Sequence, residues 1–600
     1  FANTTASNNT AVGDKALTAN TTASNNTAIG TSALCANTTG ATNVAVGLCA
    51  LKANTTADDN TSIGGQTLSA NTTGASNTAL GQGALFTNTT ASNNTALGRH
   101  ALLLNTTGAC NTAIGYESLR SNTTAHHGVA VGYEALDANT TPNGNVGIGF
   151  RAAKSNVTGS SITAVGHCAL SANTGNNNTA VGFDSLKANQ GGASNTAVGN
   201  LALAANSSAS GSVAVGHNAL AAHTTGGCNT AVGCNAGGTM TTATNNVAMG
   251  RASMGNTTTG SENTALGALS LQTNSEGANN VAVGFCALKA NTTADGNVAV
   301  GALAGDAITT GHSQTALGFC ALTTATTPEG NTALGNSALK LTTTGADNTA
   351  VGRRALCTNT TAGSNVAVGA YSMCLNTTGA ANVAAGNQSL NVNTTGNSNV
   401  AIGYNALCAN TTADSNTAVG REALTSNTTG TQNTAVGKGS FDSVTTGSNN
   451  VAIGEGSGSN LTTGSNNTLL GYVAGTDAVG NNTTGSNNII IGNNSHTSAF
   501  IKIDWTVTSD LRDKTEIKDV THGLDFVNQI TPIEYRFKKS RENDTPIGFT
   551  KYGFKAQEIL ELEGDNPVII NNQDADNLKL TSAHLIPVLV NAIKELSETN

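Results

Sequence analysis

"TAVGDKALTANTTASNNTAIG" runs from Thr10 to Gly30 and sets out the logic of the first 492 residues. It opens on "TAVG" and closes on "TAIG", 17 residues later. Working outward, the glycine that ends this unit recurs at Gly13, Gly30, Gly47, Gly64 and onward to Gly471. One step is 16 residues, from Gly166 to Gly182, and a last step of 21 reaches Gly492. The residue before this glycine is Val, Ile, Leu or Met in every copy except Ala385, the one before that is nearly always Ala, and the one before that alternates between Thr and Val. Such period-two alternation reads as a short strand. It puts Val12 and Ala11 on opposite faces. The Val12 column is expected to face a dry interior, and the Ala11, Ala28, Ala45 column to face a neighbouring chain.

Four residues after the glycine, 20 of 28 copies carry Leu (Leu17, Leu34, Leu51), a second core column. "NTTA" or "NTTG" then supplies a turn, where Asn and Gly tolerate left-handed backbone. The repeated glycine itself calls for positive φ or close backbone contact. One 17-residue unit cannot bury a core alone, whereas stacked units can. The fold class is therefore mainly β: a β-solenoid or β-roll with one coil per repeat and Asn and Thr ladders along it. Parallel coils stacked at roughly 4.8 Å would extend about 130 Å. A helical solenoid is the competitor, but 17 residues do not hold two helices and their turns. The "NTAVG" units are similar to the "NSVAIG"-type units of trimeric autotransporter adhesin heads, left-handed β-rolls assembled as trimers; that resemblance implies a trimer.

Only 10% of the residues are charged, and the net charge is −9. A usual domain is about 25% charged. Neither the repeats nor the last hundred residues carry a basic stripe, so nucleic acid is not an expected partner. No run of 18 apolar residues suggests a membrane span. The chain opens on Phe1 without a visible signal peptide and is read as a fragment or processed product whose N-terminal anchor is missing.

Positions that vary should face solvent. Tyr116, Tyr133, Phe150, His167 and Phe183 follow the repeat glycine in five successive coils. Stacked, they would form an aromatic stripe. It reads either as a receptor-binding strip whose ring faces suit sugars, or as a ladder that seals a coil edge. The 11 cysteines sit on the lattice as small apolar filling; Cys357 and Cys374 lie one coil apart. With no CxxC pair and no clustering read as a ligand set, neither a metal site nor a cofactor is expected. Odd, unpaired cysteines suit assembly in a reducing compartment.

After Gly492 the composition turns globular, with the sole Trp505 and then dense charge. Leu585, Leu589, Ala592 and Leu596 are spaced 4-3-4, as in a short coiled-coil seam. "SDLRDK" (Ser509, Asp510, Arg512, Lys514), "GLDFVNQITPIEY", "YGFKAQE" and "LIPVLVNAIKEL" follow in order. This block resembles the C-terminal intramolecular chaperone of phage endosialidase tailspikes and related fibres, a self-cleaving peptidase family. The implied organisation is a repeat shaft over 1–492, a connector over 493–508 and a small α+β chaperone domain over 509–600. The resemblance implies that three copies trimerise, align the fibre chains and then cut themselves off between Ser509 and Asp510. Ser509 would be the nucleophile and Lys514 the base, with Arg512 lowering the lysine pKa or binding the oxyanion. Attack by Ser509 on its own carbonyl would need a four-membered ring, so a neighbouring chain's bond or a water-mediated route stays open.

The expected function is a virion tail fibre or tailspike: a homotrimer that attaches to a host surface receptor, a glycan among the candidates. The repeats show no carboxylate pair suited to glycosidase chemistry. A cell-surface adhesin with the same chaperone is the alternative, and an ice-binding solenoid is a further one that predicts regular Thr on one flat exposed face.

Overall fold

The computed structural model describes residues 4–477, 480–496, 499–500, 502, 509–572, 575–576 and 578–599. Trp505 and most of the connector lie outside them. The chain divides into two compact units, Phe1–Tyr371 and Ser372–Asn600. In the first, strands β1 (Thr10–Val12) to β22 (Val366–Val368) each pair in parallel with the next, and in the second, β23 (Val383–Ala385) to β29 (Ile489–Ile491) do the same. Like residues pair with like: Thr10 with Thr27, Ala11 with Ala28, Val12 with Ile29. The protein is a β-solenoid with a 17-residue coil. The 16-residue step keeps this register, with Thr163 opposite Thr179, because the shortening falls in the turn. Asn173 Nδ2 reaches the Gly175 carbonyl two residues on, where Asn156 reaches Gly159 three residues on.

The strand faces are the reverse of the sequence expectation. The strand-centre alanines, Ala28, Ala45 and Ala79, are fully buried, whereas Val12 is 57% exposed and Ile29, Ile63 and Leu80 are also exposed. Alternation says that the two columns oppose each other, not which one is inside. The coil is narrow, and Leu34 and its equivalents already fill it from the facing wall. Beside these leucines little room remains at the strand centre. Where the strand centre is Gly147, an added Cβ would come 2.9 Å from Leu136 Cγ.

Much of the remaining interior is polar and hydrogen-bonded along the stack. Asn37 Nδ2 donates to Asn20 Oδ1 (3.0 Å) and to the Gly40 carbonyl (2.8 Å). A second column runs beside it, with Asn43 N donating to Asn26 Oδ1 (2.9 Å). Threonines bridge the turns, Thr21 Oγ1 to the Thr38 carbonyl and Thr38 Oγ1 to that of Thr55. Volume is conserved locally. At Gly237, Gly305 and Gly458, three of the copies with glycine at the Leu position, the buried residue three positions later is Met240, Ile308 or Leu461 instead of a ladder Asn. The repeat glycines meet both expectations at once: Gly149 has φ +133°, and a Cβ there would sit 2.5 Å from the Gly166 carbonyl oxygen.

The C-terminal domain contains helix α1 (Leu524–Gln529), an antiparallel pair β30 (Ile533–Ser540) and β31 (Asn543–Gly553), helix α2 (Ala556–Glu563), the short pair β32 (Ile570–Asn571) and β33 (Lys579–Leu580), and helix α3 (Ser582–Thr599). Phe526, Ile559, Ile569, Ile570, Leu585 and Val588 form its core. The Glu563 carboxylate accepts the backbone N–H groups of Val568, Ile569 and Ile570 at 2.6–2.9 Å and so fixes the approach to β32. Leu524 N donates to Glu595 Oε2 (2.6 Å), tying α1 to α3. The expected seam on α3 is split. Leu585 and Ala592 are buried in the domain's own core, while Leu589 and Leu596 join Ile586 and Ile593 in an exposed 3-4-3 stripe.

Candidate functional site

The site grows from one short turn. Asp510 caps a 3-10 turn over Leu511–Asp513, its carboxylate accepting the Arg512 backbone N–H. Backbone bonds from Asp513 N to the Asp510 carbonyl (3.1 Å) and from Lys514 N to the Leu511 carbonyl (3.2 Å) close it. This turn folds Lys514 back over Ser509, and Lys514 Nζ donates to Ser509 Oγ across 2.9 Å. Both side chains are exposed.

Arg512 does not face Lys514. Its Nε lies 3.1 Å from each Asp510 oxygen, and Nη2 bonds Oδ2. The Arg512 side chain, then its backbone N–H, holds the Asp510 carboxyl below the usual carboxylate range, and Asp510 in return raises the guanidinium pKa. The sequence reading missed Asp510 as the arginine's partner, although the D-x-R spacing carries that signal. Chemically, the Ser–Lys contact is a proton-transfer geometry. A neutral lysine amine at this position would accept the serine O–H proton along the contact that the ammonium now donates through.

The five predicted stripe residues are brought together. Tyr116–Tyr133, Tyr133–Phe150, Phe150–His167 and His167–Phe183 stack with centroids 4.9–5.4 Å apart and planes within 14°. The rings therefore cover each other's faces and turn their edges outward. Arg151 lies over Phe150 at 4.9 Å. A ladder of ion pairs runs alongside: Arg120–Asp137 (2.8 Å), Arg151–Glu134 (2.9 Å), Lys154–Glu134 (2.6 Å) and Lys187–Asp184 (2.9 Å). Burial is the largest influence on Asp137 and raises its pKa against the opposing pull of Arg120.

Residues 509–566 match the family model for the chaperone of endosialidase. The match opens on Ser509 and spans the turn, α1, the β30–β31 pair and α2. No curated protein and no solved structure matches the chain. Among the described residues, no helix is long and apolar enough to cross a membrane. A chaperone-of-endosialidase domain behind a β-solenoid fits a tail fibre or tailspike that carries a trimerisation chaperone.

Proposed function

We propose that the chain is a virion fibre or tailspike that assembles as a homotrimer, attaches to a host surface and releases its C-terminal chaperone by autoproteolysis between Ser509 and Asp510. The observation that carries this reading is the 2.9 Å contact of Lys514 Nζ with Ser509 Oγ at the first residue of the chaperone match. The lysine must be neutral to act as base, and burial favours that form. Ser509 and Lys514 are exposed in the single chain, so trimer packing is the natural source of that burial and would couple cleavage to assembly.

The outer sheet face supports side-by-side chains. In Phe1–Tyr371 it presents Thr or Val and then Val, Ile, Leu or Met from 22 successive strands, with no charge at either position. At about 4.8 Å per strand and about 10 Å across, that is about 1,000 Å² per chain. A stable interface takes about 800 Å² per partner. Val44, Val129 and Val146 interrupt the threonines, which suits apolar contact between copies better than a regular hydroxyl lattice for ice.

A long stack of near-identical coils can slip by one repeat at little cost, since register is weakly specified where repeats match. A clamp at one end sets it before the stack zips, and cleavage then leaves the product kinetically trapped. Intact mass of the purified chain beside Ser509→Ala tests the proposal. The expected result is a fragment beginning at Asp510 in the first sample only. Full-length mass in both would overturn the cleavage assignment.

A further inference from the structure

Two neighbouring coils within the aromatic ladder bring three ligand-bearing side chains together. His167 and Cys168 follow Gly166, and Asp184 sits one coil on, in the same column as Cys168, with Asp184 N donating to the His167 carbonyl (2.9 Å). A ring nitrogen of His167, Cys168 Sγ and a carboxylate oxygen of Asp184 all lie within 4.8 Å of one another. Asp184 is 8% exposed. Its Oδ2 accepts from Lys187 Nζ, but its Oδ1 has no hydrogen-bond partner and faces His167 Nδ1 at 3.8 Å. A buried carboxylate oxygen without a partner is costly and calls for a cation or a donor. The imidazole is held flat between Phe150 (5.0 Å) and Phe183 (4.9 Å), which fixes the direction of its nitrogens. Its own exposure leaves a path from solvent.

We propose that His167, Cys168 and Asp184 form a three-ligand site for a divalent transition metal of the zinc and cobalt class. One imidazole nitrogen, one thiolate and one carboxylate oxygen make a borderline donor set. It suits Zn²⁺ or Co²⁺ and is poor for Ca²⁺ or Mg²⁺, which take oxygen cages. Ligand atoms about 2.0–2.3 Å from a tetrahedral ion lie within about 4 Å of one another, so small side-chain rotations close the set. The fourth position stays open to water or to a ligand from outside. Burial, and then the Asp184 charge, raise the Cys168 thiol pKa, while Lys187, Arg151 and Lys154 pull it back. The thiol thus enters protonated. Metal binding exchanges the S–H bond for an S–metal bond and releases one proton to solvent.

An internal control lies elsewhere in the stack. Cys234 Sγ is 3.9 Å from His217 Nδ1, a His–Cys pair to which no carboxylate is added. The test is Co²⁺ titration of the metal-free, reduced full-length protein, followed by absorption. One equivalent should produce a thiolate-to-cobalt charge-transfer band with tetrahedral d–d bands, displaced by Zn²⁺. Cys168→Ser should abolish the band, Asp184→Asn should weaken binding by about tenfold or more, and Cys234→Ser should change nothing. Serine already occupies the same lattice position with the same left-handed backbone at Ser32 and Ser337, so Cys168→Ser preserves the coil. Absence of the band in the unsubstituted protein, or its survival in Cys168→Ser, would overturn the proposal.

Discussion

Lys514 Nζ and Ser509 Oγ meet at 2.9 Å although five positions separate them, because the Asp510-capped turn reverses the chain between them. Arg512 supports that turn through Asp510 and does not touch the pair. Lys514→Met is therefore expected to slow self-cleavage by about 10²–10⁴-fold, the usual worth of a positioned base. Arg512→Met should slow it less, by loosening the turn. A time course of intact mass after purification reads both, and equal losses would mean that Arg512 acts in the chemistry itself.

The exposed α3 stripe of Ile586, Leu589, Ile593 and Leu596 is the seam available to other copies. Ile593 is 65% exposed and outside the domain core. Ile593→Lys should leave helical circular dichroism unchanged and shift the molar mass measured by light scattering from trimer to monomer. An unchanged trimer would place the contact elsewhere.

On the outer sheet face, Ile114→Lys with Ile148→Lys puts charge on two exposed positions of an uncharged face. Each coil keeps its buried alanines and leucines, so the stack should fold. Side-by-side association should weaken by about tenfold or more, since unpaired charges at an apolar contact lose their hydration. Sedimentation equilibrium would show it.

His223 occupies a ladder position held by Asn206 in the preceding coil, and it leaves Asn206 Oδ1 without a partner. Burial holds the His223 imidazole below its ordinary pKa, partly opposed by its bond to the Gly226 carbonyl. A depressed folded pKa gives stability that is present above the unfolded value, about 6.5, and lost as pH falls through the folded one. His223→Asn should restore the donor to Asn206 Oδ1, add about 1 kcal/mol, and remove the loss of protection between about pH 7 and 5. Hydrogen exchange of the Leu220 and Thr224 amides is the readout. A flat profile in the unsubstituted protein would contradict the assignment.

Gly149→Ala combines a forbidden φ of +133° with a Cβ 2.5 Å from the Gly166 carbonyl oxygen. Loss of about 3 kcal/mol or more is expected, concentrated in the coils beside it. Chemical denaturation combined with exchange protection of β9 (Val146–Ile148) and β10 (Thr163–Val165) would measure it; a uniform loss across all coils would show that the stack melts as one unit.

The sequence alone carried the coil length, the strand in each coil, the demand for glycine and the in-register stacking. A 17-residue period of the same letters leaves one way to pair Thr10 with Thr27 and Val12 with Ile29. The family motif, and not spacing, pointed to Ser509 and Lys514. The tertiary structure decided which side of each strand is inside, because alternation is symmetric and only the opposite wall, filled by Leu34 and its equivalents, breaks the tie. It decided which stripe of α3 is free, because Leu585 and Ala592 lie on the side that packs into the domain core. It also placed Asp184 beside His167 and Cys168. A side chain's neighbours in a parallel stack come from the next coil, 16 or 17 positions away, and no local pattern announces them.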